Sequence, residues 1–218
     1  MKTNRKYVRI ATDAVLILLL PLLMGYMLVG ELYHEIIGTI MMIAFIAHHA
    51  LNFGSIKAIF KGKYNARRIV NTVINALLFV IMILLPISGI LMSKHLYTFL
   101  NISGLGSISR ITHMLCAYWG FVLMCLHAGM HAGGMLVKIR KNRIAYIILL
   151  VLCAIISIYG IYAFYSRNIY EYMFLKTQFV FFDTDGKLLF FIDYISIMVL
   201  FASLGAVVDR ILKGKIRR

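Results

Sequence analysis

Six runs of about twenty apolar residues, separated by short basic stretches, leave this chain very little choice of fold. A helix of ~20 apolar residues crosses the ~30 Å hydrocarbon core of a bilayer. No water is available there, so the backbone of a helix must bond within its own segment. The runs cover approximately residues 10–30, 31–53, 69–92, 110–136, 145–165 and 188–212. Composition agrees, with 62% hydrophobic and 14% charged residues, where a soluble domain carries about a quarter charged. The expected fold class is therefore all-α, a polytopic membrane helix bundle with six transmembrane spans. No linker divides it, so residues 1–218 read as one domain. The basic start MKTNRKYVR also suits a signal peptide, but the first run is long and no small-residue cleavage pattern precedes Glu31, so it is read as a retained span. Within that run Pro21 is expected to introduce a kink, and Asp13 lies close enough to the basic end to reach the interface.

The basic residues set an expected orientation. The N-terminus, the loops after spans two and four, and the C-terminus carry four, five, four and five Lys and Arg, 18 of the 23. Only Lys94, Arg110, Arg167, Lys176 and Lys187 fall on the other side. The positive-inside rule then puts both termini in the cytoplasm and makes spans two and four run in the same direction. A formal charge of +15 spread in this way reads as topology, and no nucleic-acid partner is expected.

Spans two and four share a second feature. Each holds two histidines fourteen positions apart, His34 and His48 on one, His113 and His127 on the other. At ~100° and ~1.5 Å per residue, such a pair lies within ~40° of one face and ~21 Å apart along the axis. In parallel helices His34 should meet His113 near the outer surface, and His48 should meet His127 near the inner one. Ionisable residues inside a membrane mark function by default, and imidazole is an axial ligand of haem iron. The pattern points to two b-type haems stacked across the bilayer. Gly38 and Gly120 lie between the histidines on these faces, small where a porphyrin edge needs close backbone approach, although small residues also serve plain helix packing.

Alternatives remain at the inner site. His49 lies ~100° round from His48 and replaces it if the helix is rotated. His131 shares the face of His113, ~27 Å down the axis, and is a second candidate beside His127 as ligand or as a donor to a propionate or quinone. His95 reads as a solvated loop residue. Arg110, one turn before His113, suits the propionates of an outer haem; Arg68 suits the inner one or is simply a topology charge. Cys116, Cys125 and Cys153 lie within spans, and there is no C-x-x-C-H for covalent haem attachment. The aromatic segment from Ser166 to Lys187 reads as an interfacial belt with a turn at DTDG, or as a docking lid over the outer haem.

The order of these motifs resembles a known family. H-E-x2-G (His34, Glu35, Gly38), H-x3-N (His48, Asn52), an arginine and an SG dipeptide bracketing span three (Arg68, Ser88, Gly89) and H-x13-H-x3-H on span four are similar to the flavinylation-associated cytochrome family of bacteria. The likeness covers about residues 30–136, and Phe53 stands where the family pattern leads one to expect tryptophan. The resemblance implies a haem-binding four-helix core in a bacterial cytoplasmic membrane, two non-covalent bis-histidine haems b on His34, His48, His113 and His127, and a quinone as substrate. It implies partners in the quinone pool and in an extracytoplasmic flavinylated or other redox protein. The chain would be an electron-transfer subunit, the quinol-oxidising part of an oxidoreductase complex, or a quinone-reducing anchor if electrons run the other way. Two rivals need no haem: a metal or proton transporter that uses the intramembrane histidines, and a cofactor-free membrane anchor.

Overall fold

The computed structural model describes residues 2–59, 61, 63–102, 104–177 and 186–214. Its long helices are α1 (Lys2–Met24), α2 (Glu31–Leu51), α3 (Ala66–Leu91), α4 (Gly106–Met135), α5 (Arg143–Ser166) and α6 (Lys187–Gly214). Among the described residues there is no strand, and six helices are long and apolar enough to cross a membrane, the make-up of a multi-pass membrane protein. Side chains on α5 show which surfaces want lipid: Val151, Leu152, Ile155 and Ile158 are all more than half exposed. No soluble protein leaves such a stripe open to water.

The first run is placed differently from its expected 10–30. α1 starts at Lys2 and stops at Met24, a turn at Gly25 follows, and a separate short helix covers Tyr26–Val29. Hydropathy registers only apolar side chains, but a helix continues through its flanking basic residues. Gly30 then adopts a positive φ of 87° to open α2, a conformation in which a side chain would be strained. At the start of α5, the Asn142 side chain accepts from the amides of Ile144 and Ala145 at 3.1 and 3.2 Å, an N-cap that stops the preceding basic loop from continuing as helix.

The chain divides into two compact units. The first comprises Met1–Lys63 and Val80–Ala117, and therefore holds α1, α2, the second part of α3 and the start of α4. Here α1 packs along α2, and the Arg9 guanidinium donates to the carbonyl of Leu51 through Nε at 3.0 Å and also through Nη2; Arg5 reaches the same oxygen at 3.3 Å. Two cations thus satisfy a carbonyl that the end of α2 leaves unpaired.

The second unit comprises Tyr64–Phe79 and Tyr118–Arg218, the start of α3, most of α4, and α5 and α6. Glycines set its packing. A β-carbon on Gly129 would lie 1.9 Å from the carbonyl oxygen of Ala202, and one on Gly205 would lie 2.2 Å from that of Leu126, so the backbones of α4 and α6 touch. A β-carbon on Gly160 of α5 would lie 2.5 Å from the carbonyl oxygen of Ser196 of α6. Membrane helices gain no hydrophobic drive from lipid and associate through such close van der Waals contact. Phe121, Ile169 and Ile197 are fully buried here.

The first part of the segment after α5 is partly interior, and residues 178–185 lie outside the described residues. Its helix Ile169–Met173 is buried at Ile169, Tyr172 and Met173; Tyr172 stacks on Tyr118 at 4.7 Å, and the Trp119 indole donates to the carbonyl of Met173 at 2.8 Å. Tyr172 thus serves interior packing, while Phe174 of the same segment is exposed. The turn at 183–186 lies largely outside the described residues.

Candidate functional site

The first unit brings His34 and His113 together. Their ring centres are 6.1 Å apart with planes at 66°, and no hydrogen bond joins them. His113 is tightly oriented. Its Nδ1 lies 3.1 Å from the carbonyl of Leu85 and 3.1 Å from Ser88 Oγ, both on α3. A carbonyl can only accept, so Nδ1 carries the proton and Nε2 keeps its lone pair. Ser88 donates its own hydroxyl to the carbonyls of Leu84 and Leu85 at 2.8 and 2.9 Å, leaving its oxygen lone pairs for the imidazole. Gly89 completes the seat. A β-carbon there would stand 3.3 Å from Cε1 of the same ring and 3.6 Å from Nδ1. The SG dipeptide thus has two jobs against one histidine, a polar contact and a clearance.

His34 is held from its other side. Tyr26 packs edge-on against its ring at 5.1 Å and donates its hydroxyl to Glu31 at 2.8 Å. Partial burial, and then that hydrogen bond, push Tyr26 up to about 12, so it stays a neutral donor at ordinary pH. Glu35, the next residue, accepts from Ser93 Oγ at 2.6 Å and from the amides of Lys94 and Leu96 at 2.8 Å each. The H-E pair therefore divides its work: the carboxylate ties down the loop after α3, and the imidazole turns inward. Nδ1 of His34 is buried with no partner among the described residues, a condition that ordinarily costs about 1–3 kcal/mol.

The other histidines are each described within their own unit. In the first, Nδ1 of His48 donates to Asp13 Oδ1 at 2.7 Å, so span one supplies a carboxylate behind it. His49 points its Nδ1 to the carbonyl of Phe45 at 3.0 Å, with its ring 4.2 Å from the Phe45 ring. Neither contact separates the two, so the choice between them stays as the sequence left it. In the second unit, Nδ1 of His127 pairs with Asn75 Oδ1 of α3 at 2.8 Å. His131 lies one turn on, ring centres 4.7 Å apart, and is exposed.

The other candidate residues have the following surroundings. Arg110 is exposed on the first turns of α4. Arg68 lies over the Tyr64 ring at 4.2 Å, and it is its neighbour Arg67 that pairs inward, with Asp209 at 2.5 Å. Gly38 has only Leu23 Cδ2 near a would-be β-carbon, at 3.9 Å, and Gly120 is buried. His95 lies 3.7 Å from Glu31, beside Lys94. Asn75, Asp13 and Tyr26 were missed. Asn75 had a readable signal, an amide inside an apolar run; Asp13 and Tyr26 depend on a fold-back that no local pattern encodes.

Comparison with family models, curated proteins and solved structures finds no match. The functional reading therefore rests on these side chains.

Proposed function

We propose that this chain is a membrane b-type cytochrome that binds two haems through histidine pairs. The observation that carries the reading is the His34–His113 pair. Two iron–nitrogen bonds of about 2 Å, and the roughly 1.1 Å from each ring centre to its nitrogen, put opposed axial imidazoles about 6 Å apart. The rings stand at 6.1 Å. Direct hydrogen bonding would draw them closer, and simple packing would not need the Nδ1 seat that aims His113.

The donor chemistry fits as well. Bare transition ions ordinarily take three or four protein ligands, whereas a porphyrin brings four nitrogens and asks for two. The His34–His113 pair offers two imidazoles. His48, His113 and His127 all spend Nδ1–H on a protein acceptor, as metal-bound histidines do to fix tautomer and raise basicity. The second haem, on His48 or His49 with His127 or His131, rests on the repeated sequence spacing.

When bound, the haems would supply one-electron transfer between a membrane quinone and an extracytoplasmic acceptor, a flavinylated or other redox protein as the resemblance implies. The chain's own residues orient the imidazole of His113 and leave its Nε2 deprotonated. Charge bias places both termini in the cytoplasm. The proton-transporter reading gains one point, the Asp13 carboxylate at His48, although a carboxylate behind a histidine equally suits a metal ligand.

The test is a dithionite-reduced minus oxidised visible spectrum of purified protein. We expect a sharp b-type α band with about two haems per chain, and loss of one haem in His113→Ala. A colourless preparation from haem-replete cells would overturn the reading, and an unchanged haem content in His113→Ala would overturn the ligand assignment.

A further inference from the structure

A cavity of about 260 Å³ lies in the second unit at the basic ends of α4 and α6, with Tyr146 of α5 in its lining. Arg140, Arg210 and Lys213 line it together with Asp209. Asp209 is buried, and its carboxylate is already committed, to Arg67 at 2.5 Å and to Lys213 at 2.5 Å. Arg140 and Arg210 form no ion pair among the described residues; the former lies 5.6 Å over the Tyr146 ring. Two cations therefore pair with the one carboxylate and two more line the same cavity, which leaves it with excess positive charge. The backbone makes room for it: a β-carbon on Gly133 would lie 3.5 Å from Lys213 Nζ, and Gly129 holds α4 against α6 beneath.

Two free guanidiniums and an ammonium around one hollow match the oxygens of a phosphate, which arginine forks bind in pairs. The volume is smaller than the ~300–1,000 Å³ of sites for drug-sized ligands, too little for a quinone or a nucleotide and adequate for a phosphate with its glycerol. The place chooses the source. These helix ends sit at the membrane boundary, and the loop between α4 and α5 adds Lys138, Lys141 and Arg143 in sequence. Basic pockets between membrane helices on the cytoplasmic side are where acidic head groups bind.

We propose that this basin holds the phosphate of an anionic membrane phospholipid. It does not depend on the haem reading and stands if that fails.

The test uses the full chain in detergent, incubated with phosphatidylglycerol or phosphatidylcholine and read by native mass spectrometry. The wild type should retain one phosphatidylglycerol in preference to phosphatidylcholine. Arg140→Gln/Arg210→Gln should weaken that retention about tenfold or more, at ~1 kcal/mol per cation near a membrane surface. The charge-matched pair Lys57→Gln/Lys63→Gln, outside the basin, should leave it unchanged. Should the double variant fail to fold, Arg210→Gln alone must weaken retention severalfold. Equal retention in wild type and basin variant, or no preference over phosphatidylcholine, overturns the proposal. So does displacement of the lipid by millimolar inorganic phosphate, which would make free phosphate the ligand.

Discussion

Lengthening the side chain at Gly89 tests whether the seat of His113 determines haem binding. A β-carbon there would stand 3.3 Å from Cε1 of the ring. Alanine therefore asks the imidazole to move by a few tenths of an ångström, against a tolerance of ~0.2 Å in metal–ligand distances. Leucine adds atoms beyond that point, into the volume of the ring itself, and the imidazole has to leave its contacts with Leu85 and Ser88. The fold should survive both, because overpacking costs about 1–3 kcal/mol and helix propensity returns ~1 kcal/mol when a helical glycine is replaced. The expected series is two haems per chain for wild type, fewer for Gly89→Ala, and one for Gly89→Leu, with helical circular dichroism and thermal midpoint little changed. Pyridine haemochrome assay of purified protein gives the ratio. If Gly89→Leu keeps its full haem content while His113→Ala loses one, the ring is not held where the α3 seat puts it, and the argument from clearance is wrong.

Two more predictions concern α4. Asn75→Leu removes the amide oxygen that accepts from His127; loss of such a partner ordinarily weakens metal binding about 10–100-fold, so titration of apoprotein with haem should show weakened binding at one site only. Gly129→Ala would drive a β-carbon to 1.9 Å from the Ala202 carbonyl oxygen. Backbone cannot yield as a side chain does, so the cost should exceed ~3 kcal/mol, seen as a lowered thermal midpoint; an unchanged midpoint would mean α4 and α6 do not touch there.

The long helices were legible because hydrocarbon enforces them: an apolar run of that length has few other stable states, and α3 and α5 begin and end within a few residues of their expected bounds. The pairing of His34 with His113 was legible too, since two runs with the same spacing and direction bring matching residues to matching depths. Less could be read where contacts cross the sequence. Whether Tyr172 faces lipid or a stacked Tyr118 depends on how a short segment folds back, and hydrophobicity scores both outcomes alike.

By itself, the sequence determined that the chain is a set of membrane-length helices and that two of them carry histidines in register, because periodicity and hydropathy are properties of one segment in one solvent. Only the tertiary structure decided what stands behind each imidazole, Leu85 and Ser88 for His113, Asn75 for His127, Asp13 for His48. A hydrogen bond needs its partner within about 3 Å, and distances that short between residues many positions apart exist only once the helices have packed.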